Sequence, residues 1–295
     1  MPSSIDPWVR LSSGELSAEI DPRGAQLSTL KDRGARDLLW NGDPSIWAGR
    51  APLLFPIVGA LAGGSYRLGS QHYPLSRHGF ARSSAFRVVD ASRSAALFRL
   101  TADAASLQVY PFRFELDVHY VLDGATLSLV SQVRNLGDED MPASFGYHPA
   151  FRWPLPYGEA RAAHRIEFAS DEPSPVRRLD ANGLLSPERH PSPIIERRLA
   201  LEDRLFDEDA LIFDDLRSRF VSYGAPRGPR IRVDFPDAPY LGLWTKPGAP
   251  FICIEPWHGI ADPQGYAGDF RAKPGVFAVA PGESKAIQAT IALLA

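Results

Sequence analysis

The segment PFRFELDVHYVL, residues 111–122, alternates with period two. Phe112, Phe114, Leu116, Val118, Tyr120 and Leu122 fall on one side of an extended chain, and Arg113, Glu115, Asp117 and His119 on the other. A half-buried strand satisfies that pattern and a helix does not. Asp123-Gly124 follows, a hairpin turn signal, and ATLSLVSQVRN then alternates again through Leu127, Leu129, Ser131 and Val133. The two runs predict one antiparallel hairpin. Similar runs predict strands at Leu16–Ile20, Ala96–Thr101, Ile231–Phe235, Tyr240–Trp244, Phe251–Glu255 and Ile287–Leu293.

Proline sharpens this reading. Twenty-seven prolines are spread along 295 residues, which argues against long helices and for strands joined by rigid turns. Only short helical turns are expected, at Asp103–Gln108 and Glu202–Asp207. DEPSPVRRLDANGLLSPERHPSP, 171–193, reads as an extended surface excursion. No linker or internal repeat divides the chain. The expectation is one all-β domain, residues 1–295, of large antiparallel sheets packed face to face.

Several partners are disfavoured. Lys and Arg number 32 against 35 Asp and Glu, and no basic stripe is interleaved with aromatics, so nucleic acid is not an expected partner. The single cysteine, Cys253, rules out an intrachain disulfide and any multi-cysteine metal site. The start, MPSSIDPWVRL, lacks a basic region followed by an apolar run. APLLFPIVGALAGG, the most apolar tract, is too short to span a bilayer and is broken by Pro52 and Pro56. A cytoplasmic protein with no membrane association is expected, as a monomer or weak homodimer.

Two stretches carry the chemistry. SFGYHPAFRWPL sets His148 before Pro149, and FICIEPWHGIADP sets Glu255 before Pro256, both in aromatic company. A following proline disfavours the α region, so both residues should be extended and well defined. In FICIE, Glu255 shares a face with Phe251 and Cys253, a poorly solvated setting that raises a carboxyl pKa toward values useful to a general base. The alternative is a strand-end glutamate turned to solvent or paired with an arginine, as most glutamates are. His148 is either a proton-transfer group or a core or rim histidine. His78 adjoins Gly79, with Arg77 and Arg82 on either side, in a binding loop or a merely charged one. No pair of histidines has metal-ligand spacing, and EDRLFDEDALIFDD lacks the glycine and terminal glutamate of a calcium loop. No metal and no cofactor is expected.

RAPLLFPIVG (50–59), RHGFAR (77–82), GYHPAFRWPL (146–155), FDEDALIF (206–213) and KPGAPFICIEPWHGIAD (246–262) occur in that order. Together they resemble the aldose 1-epimerase (mutarotase) superfamily, in its bacterial branch, over essentially the whole chain. The resemblance implies a galactose mutarotase-like β-supersandwich with an open sugar cleft and no cofactor. It implies that His148 protonates the ring oxygen, that Glu255 takes the proton of the anomeric hydroxyl, and that His78 contacts the sugar near its ring oxygen. Asp209 would hold hydroxyls, and Arg50 and Arg82 would be substrate contacts, as in relatives acting on sugar phosphates. On this reading the two prolines hold His148 and Glu255 on opposite sides of one hemiacetal. Trp257, Trp153 and Phe80 are candidate stacking faces.

The expected activity is that of an isomerase interconverting the α and β anomers of an aldose or aldose 6-phosphate. A non-catalytic carbohydrate-binding or sensing protein with the same cleft is the alternative, although binding alone needs no matched acid and base. A glycoside hydrolase would require a second carboxylate near Glu255, for which Asp209 is the motif-matched candidate.

Overall fold

The computed structural model describes residues 8–295, so the amino-terminal segment read above lies mostly outside it. The 111–135 region folds as the alternation requires. Strands Phe114–Asp123 and Thr126–Asn135 pair antiparallel, with Leu127 opposite Leu122, Leu129 opposite Tyr120 and Val133 opposite Leu116. Gly124 takes the positive φ of 51° that the two-residue turn demands. This hairpin lies inside a nine-stranded sheet, flanked by Ser284–Leu294 on one side and Ala95–Thr101 on the other. An eight-stranded sheet holds Leu53–Leu54, Phe145–Tyr147, Phe251–His258, Tyr240–Trp244, Leu211–Phe213, Val176–Leu179 and Leu185–His190, with Ala150–Arg152 also pairing on Phe251–His258. A three-stranded sheet and two two-stranded ladders complete the all-β fold.

The two large sheets share a core. Leu116, Val118 and Tyr120 from the first belong to the same buried cluster as Leu241, Leu243, Ile252 and Ile254 from the second. The other face of the eight-stranded sheet is covered too, so every residue of Phe251–His258 is buried. On that outer face Phe251 and Cys253 pack with Trp40, Trp47 and Trp244, while Trp257 packs with Leu54, Val58 and Ile212. A strand buried on both faces reads as a continuous apolar run, which is how FICIEPWHGI reads.

Helices are short, as the prolines require. Ala104–Val109 is a single capped piece, with the Asp103 carboxylate accepting from the Ser106 N–H at 2.7 Å. Asp203–Phe206 is a 3₁₀ turn. Among the described residues no helix is long and apolar enough to cross a membrane.

Two expectations need correction. Segment 171–193 is not a mere excursion, because Val176–Leu179 and Leu185–His190 form a hairpin at the edge of the eight-stranded sheet. Asp180 supplies its turn, accepting from the Asn182 and Leu184 N–H groups, and Gly183 takes a φ of 76°. Its prolines masked the strands, since Pro175 and Pro187 are tolerated at a strand start and in an edge strand. The strand begun at Phe251 also runs past Glu255 to His258, with Pro256 opposite Leu241.

Candidate active site

The two His-Pro and Glu-Pro stretches lie side by side. Phe145 pairs with His258 and Gly146 with Trp257; beyond a gap, Ala150 pairs with Cys253 and Phe151 with Ile252. Both stretches keep the same register, so His148 falls directly opposite Glu255 where the ladder is interrupted. Pro149 and Pro256 supply that interruption, because neither has an N–H to give the ladder. His148 Nε2 and Glu255 Oε2 are 3.1 Å apart. The pair thus consists of cross-strand neighbours on one face, not groups on opposite sides of a substrate. Neither Glu255 Oε2 nor His148 Nδ1 has a hydrogen-bond partner among the described residues.

On its other side Glu255 faces Gly242. The Trp257 indole lies across this row, and a Cβ at Gly242 would fall within the space of its six-membered ring. A Cβ at Gly146, on the opposite neighbour, would come to 2.7 Å from Trp257 Cδ1. Two glycines thus allow the indole to lie flat on the sheet beside the carboxyl, as the floor of a cleft.

That cleft has a volume of about 270 Å³. His148, Glu255, His78, Arg82 and Asp209 all line it, together with Arg77, Trp47, Trp244 and Trp257. Arg50 does not. Its guanidinium donates to the Ser28 carbonyl at 2.7 Å and lies over the Trp8 ring at 5.3 Å. Trp153 is buried in the core under the Arg161 guanidinium, and Phe80 packs edge-on against Phe55, so neither lines the cleft.

Local backbone explains two of the side chains. His78 adopts a φ of 68° and Asp209 a φ of 64°, both in the left-handed region that costs a residue with a Cβ. His78 is fixed there by two bonds with Gly59: its N–H donates to the Gly59 carbonyl at 2.9 Å, and its Nδ1 accepts from the Gly59 N–H at 3.1 Å. With Nδ1 as acceptor, the neutral ring carries its proton on Nε2, a donor for a ligand oxygen. Asp209 Oδ1 accepts from the Ala210 N–H at 2.7 Å, and its Oδ2 lies 3.9 Å from Arg77 Nη2.

Electrostatics separate the groups. Burial, opposed by Arg77, pushes the Glu255 carboxyl well above its usual range. Burial pulls the His148 imidazole down to about 3, and His78 well below its ordinary value, His148 adding to the effect at the latter. A dry site disfavours both charges. Burial therefore favours a neutral imidazole and a protonated carboxyl in the resting pair. Burial and then Arg77 also lower the Arg82 pKa, and among the described residues Arg82 pairs with no carboxylate; its Nη2 donates to the Arg77 carbonyl at 2.9 Å.

His148, Cys253 and Glu255 offer ligand atoms within 4.8 Å of one another. The thiol is buried and held protonated, its pKa pushed up by burial and then by Glu255.

The family model described as aldose 1-epimerase matches residues 7–285. The chain belongs to the aldose 1-epimerase family. It is 35% identical to protein LacX of Lactococcus lactis subsp. lactis, over 92% of this chain and 95% of that one. Among solved structures, a galactose mutarotase related enzyme from Lactobacillus acidophilus is 30% identical with a TM-score of 0.90, covering 98% of this chain and 97% of that one. A galactose mutarotase-like protein from Lactobacillus casei is also 30% identical with a TM-score of 0.90, covering 97% and 100%. The sandwich fold is therefore that of the galactose mutarotase-like proteins. Trp47 and Trp244 are cleft residues that the sequence did not mark as candidates. Trp244 was recoverable from strand parity with Gly242; Trp47 sits in a turn whose position no periodicity reports.

Proposed function

We propose that the protein is an aldose 1-epimerase, interconverting sugar anomers by acid–base ring opening with Glu255 and His148. The observation that carries this is their pairing in register, 3.1 Å apart, at the floor of a cleft. The two oxygens that exchange protons in mutarotation, O1 and the ring oxygen, share the anomeric carbon. An acid and a base side by side suit two such oxygens.

The proton count closes. With the shared proton on His148, Glu255 is a carboxylate that takes the proton of the O1 hydroxyl while His148 Nε2–H donates to the ring oxygen. The C1–ring oxygen bond breaks and the aldehyde forms. Glu255 is then protonated and His148 neutral, the state that burial favours. After rotation about C1–C2, Glu255 returns its proton to the carbonyl oxygen and His148 takes the proton of the attacking hydroxyl. The ring closes as the other anomer and the pair is reset. Each proton transfer supplies roughly 10²–10⁴-fold acceleration, so no metal need be invoked. His78 Nε2–H would steady the ring oxygen and Asp209 a hydroxyl.

For the substrate, Arg77 and Arg82 bring two guanidiniums to the cleft, against the Asp209 carboxylate and a protonated Glu255. That balance favours an aldose carrying an anionic group, such as a 6-phosphate, over a neutral one. The test is anomer exchange by NMR across matched free and phosphorylated aldoses. Exchange in neither series, by folded protein, contradicts the reading; equal rates for both contradict only the anionic preference.

A further inference from the structure

The His148 ring presents an unsolved problem of orientation. Histidines in proton transfer are commonly fixed through the nitrogen away from the reaction, by a carbonyl or carboxylate. Here that nitrogen, Nδ1, is buried and without a hydrogen-bond partner among the described residues. No hydrogen bond from another residue therefore fixes the ring through Nδ1. The ring is held there by packing.

The packing is aromatic on three sides. The Trp47 ring stacks on the imidazole with centroids 5.2 Å apart and 27° between planes. Trp244 meets it edge-on at 6.0 Å and 78°, and His78 at 5.8 Å and 86°. Trp47 is itself fixed although no strand or helix carries it. Asp43 starts a single turn, its carboxylate accepting from the Ser45 N–H and its carbonyl from the Ile46 and Trp47 N–H groups. The Trp40 indole N–H donates to the Trp47 carbonyl at 2.8 Å. The Trp47 ring folds back over Gly49, where a Cβ would overlap its six-membered ring, and stacks on Phe251 at 5.4 Å.

We propose that Trp47 is a positioning residue for the proton transfer: its indole face, with the Trp244 edge, substitutes for the missing Nδ1 hydrogen bond and keeps His148 Nε2 on Glu255. This rests on the reading of His148 and Glu255 as the acid–base pair. Trp47 is half-buried and lines the cleft, so a role as sugar platform is the competing one, and the two differ in kinetics. Positioning acts on kcat; a platform acts on KM.

The test compares Trp47→Leu, which keeps bulk but removes the flat face, with Trp47→Phe, which restores a ring. For Trp47→Leu, kcat for anomer exchange is expected to fall about 10- to 100-fold with KM nearly unchanged, the scale of a misplaced catalytic group. Trp47→Phe should recover most of that loss. Nitrogen NMR of the His148 ring supplies a readout independent of turnover. One tautomer and orientation is expected in the wild type and Trp47→Phe, with averaged or shifted signals in folded Trp47→Leu. A loss confined to KM, a Phe variant as poor as Leu, or His148 signals indifferent to Trp47 would overturn the proposal. A wild type without anomer exchange would remove the acid–base reading, while the His148 spectra would still decide whether Trp47 holds the ring.

Discussion

At the scale of single residues, the site is organised around two buried titratable groups, His148 and Glu255, 3.1 Å apart. Glu255 is held protonated by burial, so folding must keep a proton that the unfolded chain, with an ordinary carboxyl value near 4.5, releases at neutral pH. Its folded pKa is raised, so its favourable contribution is full below about pH 4.5 and is lost as pH rises toward the folded value. Glu255→Gln removes that penalty. The variant is expected to be more stable than wild type at pH 7, with the gain shrinking to nothing below about pH 4.5 in denaturant titrations. His148 works with the opposite sign. Its pKa is lowered to about 3, so the folded state resists a proton that the unfolded imidazole accepts below about 6.5, and stability falls as pH drops through that window. For turnover, the competent state carries one proton on the pair. A bell-shaped kcat/KM with a broad plateau is expected, its limbs belonging to the coupled pair. A narrow optimum set by an unperturbed histidine would contradict this.

At the scale of elements, the site is a property of strand register. Glu255 lies opposite Gly242 on one side and, on the other, opposite His148 in the gap between Phe145–Tyr147 and Ala150–Arg152, and the two glycines flanking Trp257 make room for its ring. Gly242→Ala is therefore expected to lift the indole from the sheet, costing about 1–3 kcal/mol of stability and at least about tenfold in activity, as thermal unfolding and anomer exchange would report. Unchanged behaviour would mean that the floor tolerates a repacked Trp257. The elements that sequence made legible are those with a period: the 114–135 hairpin and the strand Tyr240–Trp244 emerged as expected. His148 and Glu255 stood out because proline marked both. Their mutual placement did not, since register between segments a hundred residues apart leaves no local trace. The 176–190 hairpin was hidden by edge-strand prolines. Arg50 shares a tract with cleft-lining residues, yet its side chain turns to Ser28 and Trp8, a choice made by tertiary packing.

For the whole molecule, the pair is buried on the outer face of the eight-stranded sheet, where loops bring Arg77, Arg82 and Asp209 to the same cleft. If this charge balance selects an anionic aldose, Arg82→Ala should raise KM for a 6-phosphate by about 10-fold or more while altering the free sugar little; Arg50→Ala should leave both unchanged. Equal effects on both sugars would instead make Arg82 a general hydroxyl contact. Exhaustive chelation should leave turnover intact, and a metal whose removal abolishes it would refute the metal-free mechanism. The most direct measurement is the anomer exchange rate of folded Glu255→Gln, followed by NMR on the best substrate of the wild type. Loss of kcat by about 10²-fold or more, with sugar binding retained and His148→Asn plus Glu255→Gln little worse than the worse single variant, is the expected result. Near-wild-type exchange by folded Glu255→Gln would contradict it, leaving the carboxyl opposite His148 a structural group.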